Sequence, residues 1–199
     1  MSALNERVAG LNLRLFERIA HGIDVQPIVA RVLKHMPLWD EITVRQRYLG
    51  SAHHSTQAII VRGPHPHSPD LLNELVTVDY PYAKDVRAVV EETVEICLAH
   101  IGKHGKLGRV MLVNLRVDGF IDPHADEGRY AESFERFHLA LAALPGNRFN
   151  VGDHHFTPVS GELWWFNHRR VHSFINLSGA DRWHLIIDVQ APSYRSRLA

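Results

Sequence analysis

From residue 109 to residue 190 the chain reads as a succession of short strands, and this feature most narrows the folds open to it. Residues 109–115 form an apolar strand, and Asp118-Gly119 marks a turn before the next one. Residues 134–142 form a further strand, Pro145-Gly146-Asn147 a turn, and 148–151 with 154–157 a hairpin about Gly152-Asp153. Pro158 and Gly161 bracket a turn into 162–167, and the segment 182–189 follows period two. That alternation sends Arg182 and His184 to one face and Trp183, Leu185, Ile187 and Val189 to the other. Short strands at near-regular spacing, divided by Gly, Pro, Asn and Asp, predict a β sandwich or barrel.

The first half is mixed. Residues 11–16 alternate as a strand does, which is the preferred reading, although Val8, Leu11, Leu15 and Ile19 also fit a helical stripe. Val25, Ile28, Val29, Val32, Leu33 and Met36 fall at helical spacing, with Asp24 as N-cap, Pro27 in the first turn and Pro37 as the stop. Ile42, Val44 and Tyr48 predict a strand, and 57–62 another. From Pro81 to Gly102, Val86, Val89, Val90, Val94, Cys97 and Ile101 recur at helical spacing opposite Glu91, Glu92 and Glu95. This predicts the longest helix, ended by Gly102 and packed on the outside of the sheet. The fold class is therefore α+β. With 199 residues and no internal repeat or linker, one domain spanning 1–199 is expected, comprising a mixed region 1–108 and a metal-binding β core 109–190.

The β-rich half also carries the residues suited to chemistry. If 121–127 is extended, His124 and Asp126 leave the same face of one strand, and an extended 170–176 can return across a closed sheet to bring in His172. Two imidazoles and one carboxylate compose the facial triad that holds Fe(II) and leaves positions open opposite. Arg182, facing the same cavity, would need an anion, and its planar fork suits a carboxylate. Arg136 and His138 lie opposite Phe137, Leu139 and Leu141, so they face either a cavity or water. Trp164-Trp165-Phe166 reads as core. His65 and His67, in the proline-rich loop 63–69, form a rival metal cluster with His53 and His54. That cluster offers no carboxylate or Arg at defined spacing, so a substrate-facing loop or a solvated turn is the preferred reading.

The set His124-x-Asp126, His172 and Arg182 resembles that of the Fe(II)- and 2-oxoglutarate-dependent oxygenases, and more narrowly the aspartyl/asparaginyl beta-hydroxylase family. The narrower resemblance rests on Arg136-Phe137-His138-Leu139, on Gly161-Glu162-Leu163-Trp164-Trp165-Phe166-Asn167, and on Arg182-Trp183-His184-Leu185-Ile186-Ile187-Asp188-Val189, and it covers roughly 109–190. It implies a double-stranded β-helix core (jelly-roll, cupin-like) with the N-terminal helices outside. It also implies iron on His124, Asp126 and His172, Arg182 paired with the distal carboxylate of 2-oxoglutarate, and Arg136 and His138 lining the cosubstrate or substrate pocket. The implied activity is a dioxygenase that hydroxylates an amino-acid or peptidyl side chain with O2, forms succinate and CO2, and is helped by ascorbate. No catalytic residue beyond the metal ligands is expected. Some beta-hydroxylases of this family lack the acidic ligand, whereas Asp126 is present here, so their substrates do not transfer directly.

Composition narrows the partners. Lys plus Arg and Asp plus Glu both number 22, and no basic strip or recognition motif appears, so a nucleic-acid partner is not expected. Cys97 is the single cysteine and lies on an apolar stripe, which excludes an intramolecular disulfide and predicts a packed thiol. Residues 1–7 lack the regions of a signal peptide and no apolar run reaches spanning length, so a soluble, cytoplasmic protein with no membrane partner is expected, acting on a small molecule or peptide. Two other classes fit the same residues: a cupin-like hydrolase or isomerase holding Zn(II) or Mn(II), which would not need Arg182, and a small-molecule-binding barrel without turnover.

Overall fold

A computed structural model describes residues 3–8, 11–47, 50–102 and 104–190. The strands β1 (Ala3–Val8) and β2 (Leu11–Ala20) open the chain as an antiparallel pair. Helix α1 (Gln26–Leu33), a 3-10 segment at Met36–Asp40 and the short α2 (Val44–Arg47) follow. Next come β3 (Thr56–Pro64), β4 (Thr77–Asp79), α3 (Lys84–Val89) and α4 (Glu91–Ile101). The second half holds β5 (Lys106–Leu115), β6 (Phe120–His124), α5 (Gly128–Ser133) and β7 (Phe134–Ala142). It continues with β8 (Asn147–Val151), β9 (His154–Phe156), β10 (Leu163–Phe166), β11 (His172–Asn176) and β12 (Arg182–Gln190).

The strands build an eight-stranded sheet in the order β1-β2-β10-β7-β12-β5-β3-β4 and a four-stranded sheet in the order β6-β11-β8-β9. Neighbouring strands run antiparallel, and the two sheets stack as a double-stranded β-helix. Period-two alternation gives the large sheet two different faces. Its outer face carries Phe137, Leu139, Trp165, Leu185 and Ile187, which pack with Ile28, Val86 and Val94 of the helices. Its inner face sends Leu115, Trp164 and Phe166 against Ile121, Phe149 and Phe174 of the small sheet. The run Trp164-Trp165-Phe166 thus divides between two core layers, as expected of core. Burying each such side chain contributes roughly 1.5–3 kcal/mol, which fastens both helix layer and small sheet to the large one.

Several elements differ from the sequence reading. The predicted strand near Ile42 and Val44 is instead loop and α2, and Tyr48 lies outside the described residues. α1 ends at Leu33, and Pro37 opens the following 3-10 segment rather than stopping a helix. Asp24 still assists the helix start, accepting the Gln26 N–H at 3.0 Å, although the cap position belongs to Val25. The long helix from Pro81 is divided: a 3-10 turn precedes α3, and the chain breaks at Val90 before α4 ends at Gly102 with φ 105. Adjacent β-branched Val89 and Val90 weaken a continuous helix where it divides, while Val86, Val90 and Val94 are all buried. α5 was not foreseen. Asp118, at φ 57, and Gly119 do make the expected turn ahead of β6.

Candidate metal centre

The small sheet places β6 beside β11, with His124 directly opposite His172 and their ring centroids 4.3 Å apart. A cross-strand pair is the closest approach two strand residues can make, so adjacency rather than a return across the barrel supplies the second imidazole. Asp126 does not share the strand with His124, since β6 ends at His124. The loop beyond turns toward the residue 168 corner, where the Asp126 N–H donates to the His168 carbonyl at 2.9 Å. One donor atom from each of His124, Asp126 and His172 falls within 4.8 Å of the others.

The backbone fixes which imidazole atoms face inward. His124 Nδ1 lies 2.7 Å from the Asp122 carbonyl oxygen, and His172 Nδ1 lies 2.9 Å from that of Arg170. A carbonyl only accepts, so each Nδ1 carries the proton and each Nε2 presents its lone pair. His124 Nε2 is buried and has no hydrogen-bond partner among the described residues. An orphaned buried acceptor is costly, and a cation seated among the three donors removes that cost. Two imidazoles and a carboxylate at this spacing therefore fit a divalent transition metal.

Charge is arranged to keep the carboxylate ionised. Arg136 stands opposite Asp188 in the β7–β12 ladder and grips it with two hydrogen bonds, Nε to Oδ1 at 2.8 Å and Nη2 to Oδ2 at 3.0 Å. Its Nη1 donates to Asp126 Oδ2. His168 bridges Asp126 Oδ2 at 3.1 Å and the Phe134 carbonyl at 3.0 Å. Burial raises the Asp126 carboxyl pKa, but Arg136 and His168 outweigh it and hold the group well below the usual carboxylate range. Burial pushes the His172 imidazole down to about 4, so it stays neutral at ordinary pH. Asp126 and His172 are thus in the protonation states that metal binding needs.

Behind the three donors lies a cavity bounded by His138, His184, Phe166, Phe174 and Ile186. His138 is buried, with neither ring nitrogen hydrogen-bonded among the described residues, and it stacks on His184 at 4.9 Å. Burial first, then the charges of Arg136 and Arg182, hold its pKa well below the ordinary value. Arg182 is 2% exposed, lies 4.8 Å over the Phe174 ring and donates from Nη1 to His184 Nδ1 at 2.8 Å. Burial pushes its pKa down to about 9, and among the described residues no carboxylate pairs with it. A buried cation in that state is suited to receiving an anion.

The expected site residues gather in one place, with one adjustment. Arg136 lines the cavity, yet its guanidinium is turned to Asp126 and Asp188 rather than offered to a ligand. Of the rival histidines, His65 and His67 pair with each other at 5.4 Å, away from the cavity, whereas His53 lines it and meets the His124 ring edge-on at 4.8 Å. The sequence reading missed Asp188 and His168. Asp188 had a signal, a lone carboxylate in the apolar run 185–189 that needs a buried cation, whereas nothing local marked His168.

Residues 79–192 match the family model for Aspartyl/Asparaginyl beta-hydroxylase. Over 83 residues the chain is 31% identical to L-proline cis-4-hydroxylase of Rhizobium meliloti (strain 1021), a match covering 42% of this chain and 30% of that protein's length. The viral collagen prolyl hydroxylase of Paramecium Bursaria Chlorella virus-1, solved as its 2OG complex, superposes with TM-score 0.52 at 10% identity, covering 89% of this chain and 96% of that one. The epimerase SnoN, in complex with Fe3+, alpha ketoglutarate and nogalamycin RO, superposes with TM-score 0.57 at 12% identity, covering 89% and 79%. At such identities the superpositions establish a shared fold.

Proposed function

The chain belongs to the aspartyl/asparaginyl beta-hydroxylase family, and from that premise we propose that it is an Fe(II)- and 2-oxoglutarate-dependent dioxygenase. It hydroxylates a C–H bond of an amino-acid or peptidyl side chain, with succinate and CO2 as coproducts. The observation that carries this reading is the convergence of His124, Asp126 and His172 donor atoms within 4.8 Å. His124 and His172 would hold iron through Nε2 and Asp126 through its carboxylate. Bound iron with 2-oxoglutarate and O2 supplies the oxidising chemistry, and the chain supplies position, charge and exclusion of water. Arg136 keeps Asp126 ionised and aimed. Arg182 provides a buried charge for the distal carboxylate of the cosubstrate, and His138 a neutral hydrogen-bonding edge beside it. Phe166, Phe174 and Ile186 keep the cavity apolar.

A cupin-like enzyme without 2-oxoglutarate gives no reason to bury Arg182 with no carboxylate beside it among the described residues, which favours the oxygenase. The hydroxylase names among the similar proteins support an amino-acid or prolyl substrate. Among the described residues no helix is long and apolar enough to cross a membrane. A cytoplasmic setting is part of the same proposal. Incubation with Fe(II), ascorbate and 2-oxoglutarate in air should release succinate, and mass spectrometry over amino acids and peptides, L-proline included, should find a product heavier by one oxygen. No iron-dependent succinate under any of these conditions would overturn the reading.

A further inference from the structure

We propose that the corner between β10 and β11, through His168, decides which carboxylate oxygen Asp126 offers to a metal: His168 is a positioning residue that shares Oδ2 with Arg136 and leaves Oδ1 as the donor. This rests on the metal-centre reading above. His168 holds Asp126 at two points. Its carbonyl accepts the Asp126 N–H at 2.9 Å, and its ring Nδ1 lies 3.1 Å from Asp126 Oδ2. Arg136 Nη1 donates to the same oxygen, while Oδ1 lies 3.7 Å from His124 Nε2, on the side of the other donors. The His168 side chain is 2% exposed and its Nε2 lies 3.0 Å from the Phe134 carbonyl, so packing and hydrogen bonds together fix the ring. The corner is itself held down. The Asn167 N–H donates to the Leu15 carbonyl at 2.8 Å, the Arg170 N–H to the Asn167 carbonyl at 3.0 Å, and Arg169 Nη2 to Glu135 Oε1 at 3.0 Å. The same corner supplies the Arg170 carbonyl, 2.9 Å from His172 Nδ1. One connection therefore aims both Asp126 and His172. Partners behind metal ligands set their orientation, and a carboxylate bound through one oxygen leaves more positions open than one that chelates.

The test is anaerobic calorimetry with Fe(II) on His168 variants, alone and combined with Asp126→Ala. His168→Leu keeps bulk and removes both ring contacts, while the Phe134 carbonyl still accepts from Arg169 Nη2 at 2.7 Å. Its Fe(II) affinity should fall roughly 10- to 100-fold, the scale of losing an outer partner of a ligand. His168→Asn sets an amide donor near the place of Nδ1 and should recover most of the loss. In the Asp126→Ala background His168→Leu should cost nothing further, because a residue that acts through another loses its effect when that other is gone. His168→Met serves in place of the leucine variant if that one does not fold. Unchanged affinity in the apolar variants, an asparagine variant as weak as the leucine one, or an equal loss in the Asp126→Ala background would overturn the positioning role. Asp126→Ala alone separates the two levels: wild-type affinity in that variant removes the carboxylate from the metal centre itself, whereas its loss beside a normal His168→Leu removes only the role of His168.

Discussion

His172 and Asp126 differ from their neighbours in what their side chains are left to do. The Arg170 carbonyl occupies His172 Nδ1, so Nε2 is its contribution to the centre, and nothing adjacent can replace it. His172→Ala should therefore weaken Fe(II) by more than the 10- to 100-fold typical of losing an outer partner of a ligand. Anaerobic calorimetry with Fe(II) measures this, and an unchanged affinity would remove His172 from the ligand set. Asp122 and Asp126 make a sharper comparison. The Asp122 carboxylate reaches toward His54 at 3.6 Å on the surface, and its backbone carbonyl, which any residue retains, holds His124. Asp126 instead faces the metal position with Arg136 behind it. Asp126→Ala should cost at least tenfold in iron affinity, against less than about threefold for Asp122→Ala. Equal effects in the same titration would mean that the two histidines bind without the carboxylate.

At the scale of strands, β7 and β12 present Arg136 and Asp188 as direct cross-strand partners on the inner face. Asp188 is 1% exposed, so its removal leaves a guanidinium buried with one anion instead of two. Asp188→Ala should destabilise the fold by about 3–5 kcal/mol, read as a lower urea midpoint at constant slope. A loss below about 1 kcal/mol would show that Asp126 alone satisfies the arginine. This pair also marks where the sequence was legible and where it was not. Alternation along β12 correctly separated Arg182 and His184 from Leu185 and Ile187, because face assignment depends only on period two. Which residue of β7 stands opposite Asp188 depends on register between strands far apart in the chain, and no local pattern encodes it. The same limit explains Asp126. Its spacing from His124 suggested one strand, but a hydrogen bond to His168 bends the loop, and Gly128 at φ 89 leads into α5. The helix broken at Val90 failed for a different reason, since the apolar stripe runs through Val86, Val90 and Val94 without a mark of the break that β-branched Val89 and Val90 favour.

The whole molecule stacks two sheets over a centre whose titratable groups are held away from their ordinary values, and this makes global stability depend on pH. Burial lowers His172 from 6.5 to about 4. An unfolded chain therefore takes up a proton near pH 6.5 that the native state refuses until about pH 4, and stability should fall as pH drops through that window. His138, held well below the ordinary histidine range by burial and by Arg136 and Arg182, acts in the same direction. Asp126 is also lowered, so its contribution is intact above the usual carboxylate range and is lost only in stronger acid. From His172 alone the fall between pH 7 and pH 4 should be about 3 kcal/mol. Urea unfolding of the metal-free protein across that range reads it, and His172→Gln, which cannot titrate, should flatten the curve. A variant with wild-type slope would assign the acid sensitivity elsewhere. Fe(II) binds only the folded arrangement of His124, Asp126 and His172, so at a hundredfold excess over its dissociation constant it should add about 2.7 kcal/mol near neutral pH. That increment should shrink toward pH 4, because protons and iron compete for the same Nε2 of His172, and an increment independent of pH would place the metal on other donors.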